Sequence, residues 1–211
     1  MEIHPPRPVH SLKEFLRELL TITAGILIAL SLEGILEWHH HRELVHEARA
    51  NVMTEVRANA HELDVTIAAV QQTSKQLDDI MKVILALERH EKVTVKQLPF
   101  SETLAELHDT SWNTANSTGA LSYMPYEEVK RYTEIYDLQR AYMAAQQKEL
   151  DTVIGVESLE TLMEKGFSHL TPNEISGAER SVSLARASIG TVSDFGRDLQ
   201  ERYQKLLNEK H

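Results

Sequence analysis

Residues 19–36 read LLTITAGILIALSLEGIL, an apolar stretch whose only charged side chain is Glu33. At a rise of roughly 1.5 Å per residue, a helix of eighteen such residues is about 27 Å long, close to the roughly 30 Å hydrocarbon core of a bilayer. Charged residues end the stretch on both sides, and Trp38 follows where an aromatic ring suits the membrane interface. The pattern predicts a transmembrane helix over residues 19–38, preceded by a tail over residues 1–18.

Two other structures would also produce an apolar stretch near the N-terminus. A helix at the centre of a soluble domain is equally apolar, but partner helices must then cover it on all sides. A cleaved signal peptide has a basic beginning, a short apolar core and a small-x-small cleavage site, which Ala29, Leu30 and Ser31 match weakly. Three Glu residues precede the stretch, and helical periodicity continues through that site. The sequence favours a membrane anchor over either alternative.

The basic residues around the stretch predict its orientation. Three of them precede it closely: Arg7, Lys13 and Arg17. Those that follow begin at Arg42 and are more widely spaced. Because Lys and Arg close to a span remain on the cytoplasmic side, we expect a cytoplasmic N-terminus and a periplasmic domain over residues 39–211.

Small residues recur every four positions along one face of the stretch, at Thr21, Gly25 and Ala29. Small side chains at this spacing let two membrane helices approach closely, although Gly and Ala are also common in membrane helices in general. We predict that this face mediates helix association, in addition to contact with the lipid bilayer.

The helical pattern continues beyond the apolar stretch, without Gly or Pro between residues 35 and 98. Residues at steps of three or four form a heptad-like seam typical of a packed helix face: Val45, Ala48, Val52, Val56, Asn59, Leu63, Ile67, Val70, Ser74, Leu77, Met81, Ile84 and Glu88. Polar members such as Asn59 and Ser74 favour a bundle helix over a two-stranded coiled coil. The sequence predicts one helix from about Ser11 to His90.

Two short helices are predicted after a connector over residues 93–99. Ser101 can cap the first, which would continue to about His108. The second is predicted over residues 112–121, ending near Gly119.

Two long helices complete the pattern. Pro125 suits the first position of a helix that continues towards Lys165, where Gly166 provides a C-terminal stop. Residues 171–174, TPNE, form a capping box with Pro in the first turn of the last helix. The predicted fold class is all-α, with one N-terminal transmembrane helix that continues into an antiparallel helical bundle over residues 39–211.

Charge and composition exclude several classes of function. The chain of 211 residues has a net charge of −10, most of it in the helical domain. Such a domain is repelled by phosphate backbones, so nucleic acid is not an expected partner. The absence of Cys excludes disulfides, thiol catalysis and thiolate metal sites.

Two stretches of the chain resemble a broad family of bacterial single-pass membrane proteins. One is KEFLRELLTITAGILIALSLEGILEWHHHRE, residues 13–43, and the other is SWNTANSTGALSYM, residues 111–124. Members of that family share a GILIAL-type N-terminal anchor followed by a polar helical domain. The chain departs from the family pattern at His39, His40 and His41, where Asn, Trp and Glu are expected. The resemblance implies a bacterial inner-membrane protein and, since the family has no established activity, it transfers no functional residue.

Eleven His residues raise the question of metal binding. Glu43 and His46 form a Glu-x-x-His pair, which places both side chains on one helix face, as in di-iron bundles. A di-iron site requires a second such pair and two further Glu ligands, and the sequence has no second copy. A surface patch with His39 and Glu47 is the other arrangement that could hold a divalent ion. The sequence favours a solvated juxtamembrane helix without metal or other cofactor, with Glu43 and His46 as the metal candidates.

Trp112, Asn113 and Asn116 form a polar patch around one aromatic ring, between two predicted helices. They could line a pocket for a small ligand, or Trp112 could pack into the bundle while the polar groups satisfy helix ends. Five tyrosines lie nearby, at positions 123, 126, 132, 136 and 142, and we expect them at the edge of the core with their hydroxyls in water. No Ser/His/Asp set, phosphate loop or spaced carboxylate pair predicts catalysis.

Two hypotheses for function follow. The first is a membrane-anchored interaction or scaffold protein without catalytic activity, which binds another protein or a second copy of itself. The alternative is an extracytoplasmic ligand-sensing bundle that acts through a partner protein. Because the last helix ends in the polar residues 208–211, with no second span and no output domain in the sequence, we favour the first hypothesis.

Overall fold

The computed structural model describes residues 12–94, 100–164 and 169–209, with the backbone alone at residue 154 and residues 157–164. Four α-helices account for most of this part of the chain: α1 Leu12–Glu88, α2 Thr110–Ser117, α3 Tyr126–Glu164 and α4 Pro172–Asn208. A 3₁₀ turn over Ala120–Tyr123 joins α2 to α3. No strand occurs within these three ranges, so the predicted all-α fold class is confirmed.

The chain divides into two compact units, Met1–Glu47 and Ala48–His211. In the first unit, the side chains of residues 12–40 are all exposed, and the most apolar eighteen residues of α1 have a mean hydropathy of 2.1. A helix of this length and composition near the N-terminus is typical of a membrane anchor or a signal sequence. The exposed side chains do not agree with a helix buried at the centre of a soluble domain.

Polar groups within the apolar stretch bond to the helix itself. The Thr21 hydroxyl donates to the Arg17 carbonyl at 2.9 Å, and the Ser31 hydroxyl donates to the Leu27 carbonyl at 2.6 Å. Such bonds to the carbonyl four residues earlier satisfy a hydroxyl where water is absent, so neither side chain interferes with insertion into lipid.

In the second unit, α1 and α3 are parallel and α4 is antiparallel to both. Arg49 bonds to Glu128 at one end of the α1–α3 pair, and Asn59 bonds to Gln139 further along both helices. On α4 the order is reversed, because Arg186 pairs with Asp78 whereas the later Gln200 bonds to the earlier Asp64.

The return from the end of α1 to the start of α3 is made by residues 100–109, which contain neither helix nor strand and which we call the clasped segment. Ser101 bonds to Thr73, and His108 bonds to Asn59. The seven residue steps from Ser101 to His108 therefore run alongside the fourteen residue steps of α1 between Thr73 and Asn59. Fourteen helical residues rise about 21 Å, so the segment advances about 3 Å per residue and is nearly fully extended.

The short helix predicted over residues 101–108 is therefore wrong. The second short helix is confirmed as α2, and Gly119 follows it with a φ of 79°, a conformation that glycine adopts without strain. Gly166 and residues 95–99 of the predicted connector lie outside the described residues.

The core of the second unit lies on the faces that periodicity predicts. On α4, the buried residues include Val182, Ala185, Ile189, Val192, Leu199 and Leu206. The capping box at Thr171 is also confirmed, since its hydroxyl accepts from the Glu174 amide and its own amide donates to the Glu174 carboxylate. On α1, Val52, Val56 and Leu63 are wholly buried.

Candidate functional site: a buried polar face on α3

The face of α3 that packs into the bundle is mostly polar. Residues that recur every three or four positions and are at most 9% exposed make up this face: Glu128, Tyr132, Tyr136, Gln139, Tyr142, Gln146 and Glu149. We call these seven residues the polar face. Because a buried polar group without a hydrogen bond costs roughly 1–3 kcal/mol, such a face requires partners, and most of them lie on α1 and the clasped segment.

Two side-chain amides bind the backbone of the clasped segment as a neighbouring strand would. Gln146 accepts from the Ala105 amide at 2.8 Å and donates to the Ala105 carbonyl at 3.1 Å. Asn59 accepts from the His108 amide at 2.9 Å and donates to the His108 carbonyl at 2.7 Å. Gln139 donates to the same carbonyl at 2.9 Å, so the segment is held from α1 and α3 together.

Glu55 caps the beginning of α2 from a different helix. Its carboxylate accepts from the Ser111 amide at 2.7 Å and from the Tyr136 hydroxyl at 2.7 Å, whereas the Asp109 side chain at the N-cap position makes no capping bond. A carboxylate at a helix N-terminus is favoured by the helix dipole, so Glu55 fixes α2 against α1.

An ion pair closes the end of the polar face nearest the start of α3. Arg49 donates from two nitrogens to the two oxygens of Glu128, at 2.6 and 2.7 Å. The hydrogen bond to Glu128 raises the pKa of Arg49, and burial together with Glu128 raises the pKa of Tyr132 to about 12. The arginine therefore stays charged and the phenol stays protonated at any physiological pH.

The opposite end of the polar face contains carboxyl groups instead of an ion pair. Glu149 is 3% exposed, and burial and the nearby Glu102 of the clasped segment raise its pKa to about 7. In the part of the chain that the structure describes, the Tyr142 hydroxyl has no hydrogen-bond partner, and its pKa is raised by burial and by Glu149.

The polar groups of this arrangement stabilise the fold. Burial also raises the pKa values of Tyr136 and Tyr203, so both phenols remain donors; Tyr203 donates to Gln139 at 2.6 Å. Apart from Tyr142, the buried hydroxyls and amides of the polar face bond to other groups of the same domain. The side-chain amides of Asn59, Gln139 and Gln146 thus fix the clasped segment between α1 and α3.

The metal candidates Glu43 and His46 lie on an exposed part of α1. Across residues 12–94, 100–164 and 169–209, no three His, Asp or Glu side chains are grouped so that they could hold a metal ion. Metal binding at this pair was not favoured from the sequence, and its absence stays a prediction.

The pocket candidates Trp112, Asn113 and Asn116 differ in how deeply they are buried. Trp112 is 9% exposed and stacks on Tyr136, with ring centroids 5.3 Å apart and an angle of 12° between the rings. Asn113 and Asn116 are exposed on the outside of α2. The structure thus agrees with the alternative in which Trp112 packs into the bundle.

The prediction that the tyrosines lie at the core edge with hydroxyls in water is wrong for three of the five. Tyr132, Tyr136 and Tyr142 are at most 1% exposed, and their hydroxyls lie among buried carboxylates. Tyr123 and Tyr126 are 51% and 77% exposed.

The helix-association candidates Thr21, Gly25 and Ala29 are exposed on α1, and a Cβ added at Gly25 would meet no atom within 4 Å. Association through them stays a prediction. Val52 and Val56, in the seam beyond the span, are wholly buried by the chain's own bundle.

The open grooves on the described surface of the second unit include two that lie between helices. One, of about 320 Å³, lies between α3 and α4 and is lined by Arg131, Ile135 and Leu206 among others. The other, of about 650 Å³, lies between α1 and α4 and includes Lys75 and Gly190.

Neither a protein-family model, nor a curated protein, nor a solved structure matches the chain. The role of the polar face therefore rests on its contacts within this structure. Sequence reasoning missed the contacts of Glu55 and Glu128 and the burial of Glu149. A signal was present, because Asn59 and Gln146 occupy seam positions where an apolar residue would otherwise be expected, and a buried amide requires a partner.

Proposed function

We propose that the protein is a membrane-anchored helical interaction or scaffold protein without catalytic activity. The observation that carries this proposal is the use of the polar face: its amides, Gln139 and Gln146, bind the backbone of the clasped segment, and its Glu128 carboxylate pairs with Arg49. Amides and carboxylates are residue types from which an active site could be built, and these three stabilise the fold instead. What remains for function is the exterior of the domain and the apolar helix.

The anchor gives such a protein its location. An exposed helix with a mean hydropathy of 2.1 supports insertion into a bilayer, and the basic residues before it support a cytoplasmic N-terminus. With the sequence resemblance to bacterial single-pass proteins, we infer an inner-membrane protein whose helical domain is periplasmic.

The partner is either another protein or a second copy of the chain. Small residues at Thr21, Gly25 and Ala29 support association within the membrane, where close packing replaces the hydrophobic effect as the driving force. The acidic exterior of the helical domain does not support binding to nucleic acid.

The proposal is tested by isolating the tagged full-length chain from native membranes in mild detergent. We expect it to be recovered with a stoichiometric partner or as a homo-oligomer whose mass persists in nanodiscs. Recovery of the chain alone, and as a monomer at micromolar concentration, would contradict an interaction role.

A ligand-sensing role is the second candidate, and the groove between α1 and α4 is the observation that favours it. Its volume of about 650 Å³ suits a small ligand, and Lys75, Arg186 and Arg197 line it beside Asp78 and Asp194. Native mass spectrometry of the purified chain would reveal a retained small molecule. A ligand whose binding is unaffected by Arg186→Ala would exclude this groove.

A further inference from the structure

One end of the helical domain combines the start of its α1 portion, the start of α3 and the end of α4. Arg49 pairs with Glu128 at 2.6 Å, and Arg131 pairs with Glu209 at 3.5 Å. Because α3 is parallel to α1, residues that precede Glu128 lie on the side of Arg49 from which α1 enters the domain. We call this region, residues 48–52, 118–131 and 205–209, the tyrosine end.

The tyrosine end exposes aromatic rings that the rest of the domain buries. Four of the six tyrosines of the chain are at most 1% exposed: Tyr132, Tyr136, Tyr142 and Tyr203. The other two, Tyr123 and Tyr126, are 51% and 77% exposed and flank the exposed Pro125. A tyrosine ring has an apolar body and a polar tip, which suits the boundary between lipid and water.

The charge of this end differs from that of the whole protein. Residues 48–52, 118–131 and 205–209 contain four basic and three acidic side chains, whereas the complete chain has a net charge of −10. The tyrosine end is consequently less repelled by an anionic lipid surface than the domain as a whole.

The connection to the apolar stretch is short. Nine residues lie between Trp38 and Ala48, the first residue of the second unit. Whatever the orientation of the domain, the tyrosine end is therefore the part of it that has the shortest chain connection to the apolar stretch.

We propose that the tyrosine end contacts the headgroups of the membrane into which the apolar helix inserts, with Tyr123 and Tyr126 entering the interfacial layer. This inference rests on the proposed membrane anchor, and it adds a second attachment of the domain to the lipid surface. The domain is thereby held in one orientation, which leaves its opposite end and its lateral faces available to partners.

The absence of cysteine allows a direct test, because any introduced cysteine is unique. The full-length chain is reconstituted in vesicles of phosphatidylcholine and phosphatidylglycerol, with a nitroxide label on Ser122→Cys. Ser176→Cys is the matched control, since it is an exposed serine in α4 at the opposite end of the domain. Leu30→Cys reports separately on insertion of the apolar helix.

We expect the label at position 122 to collide less with an aqueous nickel chelate than the label at position 176. The double substitution Tyr123→Ser and Tyr126→Ser should abolish this difference, with circular dichroism confirming that the fold is kept; Tyr126→Ser alone serves if the double variant fails to fold.

The outcomes are distinguishable. Equal chelate access at positions 122 and 176, with position 30 protected, overturns headgroup contact and retains the anchor. Free chelate access at position 30 refutes the anchor itself. Protection at position 122 that persists without the tyrosines, or that requires an added protein, overturns the proposed role of the tyrosines.

Discussion

At the scale of single residues, Glu149 has the environment least compatible with its charge. It is 3% exposed, it lies near Glu102, and its pKa of about 7 compares with an ordinary value of 4.5. In the folded protein this carboxyl group retains its proton through mildly acidic conditions. In the unfolded chain it loses the proton near its ordinary pKa.

This difference makes stability depend on pH. Between about pH 4.5 and 7 the folded state binds more protons than the unfolded state, so the free energy of unfolding falls as pH rises through this window. The loss amounts to about 3 kcal/mol above pH 8. Glu149→Gln should be as stable as the wild type at pH 4 and more stable at pH 8, measured by thermal unfolding in mild detergent. The control is Glu106→Gln, at an exposed position on the clasped segment. If Glu149→Gln left the dependence of stability on pH unchanged, the result would contradict this account.

Gln146 offers a second test at the residue scale. Gln146→Leu would leave the amide and carbonyl of Ala105 buried without their partner, which should cost about 2–4 kcal/mol. Hydrogen exchange at Ala105 should also accelerate. Gln147→Leu is a matched control because Gln147 is the exposed neighbour, and equal destabilisation by both substitutions would show that the amide bonds are not responsible.

At the scale of elements, the sequence predicted the helices far better than the connection between them. The bounds of α1 follow from an uninterrupted pattern with a three- or four-residue period, and α4 begins at a capping box that is local in the chain. The clasped segment was predicted as a helix because Ser101 suits an N-cap position. Its actual partners, such as Asn59 and Gln146, are 49 and 41 residues away, so no local pattern could identify them.

The prediction at this scale concerns the face of α1 formed by Thr21, Gly25 and Ala29. Gly25→Leu should disrupt association by separating the helix backbones, with Ala24→Leu as a control on a different face of the same helix. The mass of the reconstituted protein in nanodiscs measures the result. An oligomer that survives Gly25→Leu would remove this face from the interface. Val52→Glu is unsuitable as a probe, because a charge at a wholly buried position would unfold the bundle.

At the scale of the whole molecule, the distribution of charge predicts topology. If the proposed orientation is correct, with Lys13 and Arg17 on the cytoplasmic side, a reporter that is active only outside the cytoplasm should be active when fused after His211. Replacing both with Glu should reduce that activity. A reporter active only in the cytoplasm, if functional at the same site, would reverse the assigned orientation.

The parallel pairing of α1 and α3 has a consequence for biosynthesis. Asn59 meets Gln139, its partner on α3, 80 residues later in the chain. At roughly 5–20 residues per second, the ribosome needs about 4–16 s to supply that stretch. During this interval α1 is already synthesised while its α3 partner is still missing, and the α3 of a neighbouring copy is a competitor for the same surface. We therefore expect domain-swapped pairs to be the main misassembly of this topology, and slower translation of residues 60–139 should increase their yield.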